Sequence, residues 1–170
     1  MDSIELDKAP KEQINLPVEK TKNILMGLVG LAQNNRSNSK VLEGVGKIIA
    51  SFGVTNNREN IEADYQPLAQ NGLAINANSQ SWVTELSEKY PDLLTKNRAK
   101  DDILPLITQI INLAVDENRT NIKLENEVQT VLELFGANEE VTTAIGEAYA
   151  KGITAGHESA QIAEEIFKAL

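Results

Sequence analysis

Asn35-Arg36-Ser37-Asn38-Ser39-Lys40, followed after an apolar stretch by Phe52-Gly53, returns 83 residues later as Asn118-Arg119-Thr120-Asn121-Ile122-Lys123 and Phe135-Gly136. Between these anchors Val41, Val45, Ile48 and Ile49 map onto Leu124, Val128, Val131 and Leu132. Both runs space apolar residues three and four positions apart, the period of an amphipathic helix. Each sits behind a turn rich in capping residues and ahead of a glycine suited to a left-handed helix end. A repeat of this kind bears on architecture before anything else. It predicts two copies of one helical unit, and it points to a scaffold rather than to a chemistry.

The flanking sequence extends that unit. Pro17 opens a first helix, where its missing N–H costs nothing. The helix runs to about Gln33 with Ile24, Leu25, Leu28, Val29 and Ala32 on one side. After Gly53 a third helix spans roughly Arg58 to Gln70, with Ile61, Tyr65, Leu68 and Ala69 inward. A fourth, about 79–90, carries Trp82, Val83 and Leu86 and stops at Tyr90-Pro91.

In the second copy Asp101 or Asp102 caps a helix with Pro105 in its first turn and a stripe of Leu106, Ile107, Ile110, Ile111 and Ala114. The helix from Leu124 to Phe135 follows, closed by Gly136. Val141, Ala144, Ile145, Ala148 and Tyr149 mark the next, and Ile162, Ala163, Ile166, Phe167 and Leu170 the last. With a few residues deleted, Gly72 meets Gly152, Ser79 meets Ser159 and Leu86 meets Ile166. No stretch alternates convincingly with period two.

The expected fold is therefore all-α, with about eight helices in two pseudo-repeated four-helix halves. A flexible or extended arm covers 1–16, a first repeat 17–90, a linker 91–100 with one turn at Asp92-Leu93-Leu94, and a second repeat 101–170. A four-helix unit of about 80 residues has a modest core alone, so the halves should bury their stripes against each other.

Composition narrows the function. The chain has 170 residues, 41% of them apolar and 4% aromatic, so its core is mainly Leu, Ile, Val and Ala. It has no cysteine, which removes disulfides, thiolate metal sites and cysteine nucleophiles together. The formal charge is -9, and residues 86–170 carry net -7 of it. Such a surface repels phosphate backbones and anionic lipids, so neither nucleic acid nor membrane is expected as a partner. The same charge keeps a helical protein in solution. Met1-Asp2-Ser3-Ile4-Glu5 lacks the apolar run of a signal peptide, and the most apolar stretch, Ile24 to Ala32, is too short to span a bilayer. Nothing here assigns a compartment.

Few motifs carry chemistry. Asp116, Asn118, Thr120 and Glu127 fit part of the oxygen-ligand skeleton of a helix–loop–helix calcium site. Asn121 stands where glycine is required and Lys123 where an aliphatic side chain is, so the set is a weak calcium candidate beside a plain capped turn. Gly44-Val45-Gly46-Lys47 has the wrong spacing for a phosphate loop, and Ile48 replaces the needed Ser or Thr; these glycines suit close helix packing instead. His157-Glu158 lacks the second histidine of a zinc-protease motif, and His157 is the only histidine. Glu139 and Glu140 belong in a first helical turn, where the macrodipole favours anions. Asn35-Arg36-Ser37 and Asn118-Arg119-Thr120 match the glycosylation sequon, with Ser37 and Thr120 equally suited to helix caps. A bundle of this kind can also enclose an apolar ligand, with Ile107, Ile111 and Leu132 lining the space.

Ile48-Ile49-Ala50-Ser51-Phe52-Gly53-Val54 and the tail from Ala155 to Phe167 resemble the helical repeat units of spider silk proteins, the spidroins. The resemblance covers about a third of the chain and implies small helical globules that are stored in solution and assemble into fibres. Composition departs from that family: silk units are rich in Ser and Ala, this chain in Asn, Glu and Lys. No functional residue is carried over. The expectation is a non-catalytic structural or protein-interaction module with no catalytic residue and no cofactor, its partner another protein or itself. A carrier of an apolar small molecule and a silk-type fibre-forming unit are the alternatives.

Overall fold

The computed structural model describes residues 13–35, 37–53, 58–71, 79–117, 122–136 and 157–169, with single positions at 139 and 143. Among these the chain is mostly helical: α1 (Val18–Asn34), α2 (Ser39–Ser51), α3 (Arg58–Asn71), α4 (Ser79–Lys89), α5 (Lys100–Glu117), α6 (Ile122–Leu134) and α7 (His157–Ala169). A short 3-10 helix, Pro91–Leu94, follows α4 at the turn expected there. The helix expected around Val141 to Tyr149 lies outside the described residues. No described helix is long and apolar enough to cross a membrane.

The all-α expectation needs one amendment. β1 (Gln13–Asn15) and β2 (Asn97–Ala99) form an antiparallel ladder with Ile14 opposite Arg98. Residues 13–16 are thereby drawn out of the expected arm. Ile14 and Leu16 are buried, and the Leu16 N–H donates to the Lys96 carbonyl at 2.7 Å. Three residues per strand are too few for period two to stand out in a sequence.

The helix ends refine the expectations further. Asn38, not Ser37, caps α2: its side-chain oxygen accepts from the Lys40 and Val41 N–H groups at 3.2 and 3.3 Å. Pro17 occupies the cap of α1 rather than its first turn. α5 starts at Lys100, one residue before the expected cap, so Asp101 and Asp102 fall in its first turn and Pro105 lies inside the helix. Gly136 adopts the expected left-handed φ, 101°, but Gly53 does not.

The apolar stripes meet in one core. The first helices bury Ile24, Leu25, Leu28, Val29, Val41, Val45, Ile48, Ile49 and Phe52. α5 and α6 add Leu106, Ile107, Ile110, Ile111, Leu124, Val128, Val131, Leu132 and Phe135. α1 packs on α2, α4 and α6, while α5 packs on α2, α6 and α7, and α3 lies on α2. Fully burying one such side chain contributes about 1.5–3 kcal/mol, so these stripes dominate the stability.

Candidate functional site

Of the calcium candidates only Glu127 has a described side chain. Asp116 lies in the last turn of α5, Asn118 and Thr120 fall outside the described residues, and Glu127 sits in the second turn of α6. The Glu127 carboxylate is engaged elsewhere. It accepts from Asn34 Nδ2 at 2.7 Å and Asn35 Nδ2 at 3.1 Å, tying α6 to the end of α1. No group of three or more His, Asp or Glu side chains is placed to hold a metal ion among the described residues. His157 opens α7, and Glu164 and Glu165 pair with Lys100 and Lys168 at 3.7 and 3.9 Å.

Five of the described hydroxyls donate to backbone carbonyls. Ser51, Ser87, Thr108 and Thr130 each donate to the carbonyl four residues back, and Thr95 to that of Asp92. These are the local bonds that Ser and Thr make inside helices and turns.

The most constrained charge is Arg98, in β2, which is 2% exposed. Its guanidinium donates to three carbonyls: Nη1 to Phe52 at 2.5 Å, Nη2 to Leu93 at 2.7 Å and Nε to Thr95 at 2.8 Å. It also lies 5.5 Å from the centre of the Phe52 ring. Burial pushes its pKa down to about 10, opposed by the fields of Asp102 and Asp92, so it stays charged at neutral pH. The fork geometry of arginine suits three acceptors that a single ammonium could not serve so well. Sequence reading missed this residue, because Lys96-Asn97-Arg98-Ala99-Lys100 looks like a solvated basic linker.

A second cluster joins α3 to the end of α4. The Asp64 carboxylate accepts from Lys89 Nζ at 2.6 Å and Tyr90 Oη at 2.5 Å. The Lys89 and Tyr90 hydrogen bonds hold the Asp64 carboxyl below its ordinary range, and the same bond to Asp64 raises the Tyr90 phenol. Tyr65 is buried as expected, and burial raises its phenol. The side chain of Trp82 lies outside the described set.

One groove of about 470 Å³ opens between α2 and α5. Lys40, Gly44 and Lys47 border it from α2, and Gln109, Asn112 and Leu113 from α5. Gly44 makes the close packing expected of it: a Cβ there would stand 2.6 Å from Leu113 Cδ2. Comparison with known proteins gives no match to any family model, characterised relative or solved structure.

Proposed function

We propose that this chain is a non-catalytic structural or protein-interaction module built as two copies of one four-helix unit. The observation that carries this reading is crossed packing: α1 packs on α6 and α2 on α5, the first helix of each unit against the second of the other. Burial recurs at matching intervals. Thr21, Ile24, Leu25, Leu28, Val29 and Leu31 in α1 correspond to Ile103, Leu106, Ile107, Ile110, Ile111 and Leu113 in α5, each 82 positions on. Val41, Val45, Ile48, Ile49 and Phe52 correspond to Leu124, Val128, Val131, Leu132 and Phe135, each 83 on. Val83, Leu86 and Ser87 correspond to Ala163, Ile166 and Phe167, each 80 on.

The ladder pairs the strand ahead of α1 with the strand ahead of α5, with Gln13 facing Ala99 and Asn15 facing Asn97. In this arrangement Ile107, Ile111 and Leu132 are buried in the common core. The acidic surface directs association toward protein and away from nucleic acid and membranes.

Native mass spectrometry of the purified chain, with and without calcium, tests this function. A multimer without added mass is the expected result, and assemblies that lengthen with concentration would favour the fibre-forming variant. A monomer carrying a few hundred extra daltons would overturn the reading in favour of an apolar-ligand carrier. A gain equal to one calcium ion would instead return Asp116, Asn118, Thr120 and Glu127 to consideration.

A further inference from the structure

We propose that Arg98 is the clasp that holds α1–α4 and α5–α7 of one chain on each other, and that opening it lets α5–α7 pack instead on α1–α4 of a second copy. The inference takes its partner, another copy of the chain, from the assembly reading above. The two groups of helices are joined by the backbone only through residues 90–99, and all else between them is non-covalent. Their shared surface is the core itself, with α1 on α6 and α2 on α5. Two chains that exchange α5–α7 remake each of these contacts, so exchange needs no new surface. β1 belongs to the first group and β2 to the second, so the ladder also re-forms between copies.

What distinguishes the closed chain is the path of its linker. The 3-10 turn ends at Leu94 and β2 begins at Asn97, which leaves Thr95 and Lys96 as the hinge. Thr95 is already extended, with φ -56° and ψ 128°, and the chain bends at Lys96. A hinge this short invites exchange between copies unless something fixes it.

Arg98 fixes it with one side chain. Nη2 and Nε reach back over the hinge to the Leu93 and Thr95 carbonyls, and Nη1 pins the same loop to the Phe52 carbonyl at the end of α2. Straightening the bend at Lys96 carries the Leu93 and Thr95 carbonyls away from the guanidinium, so those two bonds belong to the closed chain. The third does not discriminate, because a second copy's α2 presents the same carbonyl. A buried guanidinium is costly to desolvate, and an apolar side chain of similar volume is often as stable in its place. The return on Arg98 is conformational specificity: it selects the closed chain over the exchanged pair.

The chain has no cysteine, so a disulfide can report which copy supplies β2. The Leu16 N–H donates to the Lys96 carbonyl, which makes 16 and 96 a hydrogen-bonded pair and the exposed Asn15–Asn97 the non-hydrogen-bonded pair beside it. Such a pair has Cα atoms about 4.5 Å apart, within reach of a disulfide. A full-length Asn15→Cys chain and an isotope-labelled Asn97→Cys chain, both carrying Arg98→Met, are unfolded together, refolded and oxidised, and intact masses are read. Native mass spectrometry of the unmodified chain reports association through any face, whereas this link reports only exchange, so either reading can fail alone. The expected product is a disulfide-linked heterodimer with helical circular dichroism. It should grow with concentration and exceed by about tenfold or more the yield with Arg98 retained, the equivalent of one charged hydrogen bond. Heterodimer no more abundant than random pairing with homodimers allows would overturn the proposal. So would a folded Arg98→Met pair that stays monomeric, or an equal yield with Arg98 in place. If Arg98→Met abolishes the helical signal, Arg98→Lys decides instead, since it keeps the charge but not the fork; its heterodimer must exceed the Arg98 level or the proposal fails.

Discussion

The two Phe-Gly helix ends carry the same local signal and close differently. After α6, Gly136 turns left-handed at φ 101°, and one ammonium, Lys20 Nζ, reaches the Phe135 carbonyl at 3.3 Å. After α2, Gly53 stays out of the left-handed region, and two guanidinium groups take the last carbonyls: Arg98 that of Phe52, and Arg58 Nε that of Gly53 at 2.7 Å. Terminal carbonyls need partners, and a left-handed glycine is one way of supplying them. Cations delivered by the tertiary fold are another. The local sequence says that the helix ends; distant residues decide how.

The largest test asks whether the two ends occupy equivalent places in the core. Phe52 and Phe135 are both fully buried, so Phe52→Ala and Phe135→Ala should each cost roughly 3–5 kcal/mol in a denaturant titration. A loss under about 1 kcal/mol at either site would mean that the 83-residue correspondence does not describe the core. Arg98→Ala comes next. It strips three carbonyls of a charged donor and should cost about 3 kcal/mol, whereas Lys20→Ala, removing one long and partly exposed bond, should cost under about 1 kcal/mol. Arg98→Lys should recover only part of the loss, because one ammonium cannot reproduce the fork. Equal costs at Arg98 and Lys20 would erase the contrast between the ends.

That contrast also marks what was legible in advance. The stripes of α1, α2, α5 and α6 were readable because helix burial follows a 3.6-residue period, and every residue assigned inward from Val41 to Phe52 and from Leu124 to Phe135 is buried. The Pro91–Leu94 turn and the break at Tyr90-Pro91 were readable from proline stereochemistry. Arg98 was not, because its burial depends on carbonyls 46 and 5 residues away and no local rule places them. The ladder was too short to show its alternation, and the groove at Gly44 depends on how two helices cross. Nor does any local rule bring Glu127 to the two asparagines at the end of α1 whose amides donate to its carboxylate.

A smaller effect isolates the glycine. Gly136 is exposed, so a methyl group there tests backbone conformation with little interference from packing. Gly136→Ala should destabilise by about 1–2 kcal/mol, the cost of a left-handed conformation for an L residue. If thermal and denaturant unfolding are unchanged, Lys20 closes that end without the glycine's help. The two ends would then be more alike than their geometry implies.

The smallest expected effect concerns a tie on the α2 side of the molecule, where Asp64 of α3 holds Lys89 and Tyr90 at the end of α4. The Asp64 carboxyl is lowered, first by the Lys89 hydrogen bond and then by that of Tyr90. A depressed carboxylate stabilises the fold above its unfolded value, near pH 4, and the contribution fades as pH falls through the lower folded value. Lys89 and Tyr90 are shifted upward by the same contact, so their contribution is present below their unfolded values and lost as pH climbs through the raised ones, above about pH 10. Asp64→Asn should therefore lower the urea midpoint slightly at pH 7 and flatten its decline at both extremes. The side chains are partly exposed, so salt should shrink the wild-type advantage. A variant whose midpoint tracks wild type from acid to alkali would leave α3 held by its packing on α2 alone, and would confine ionic bracing of this region to the two arginines at the end of α2.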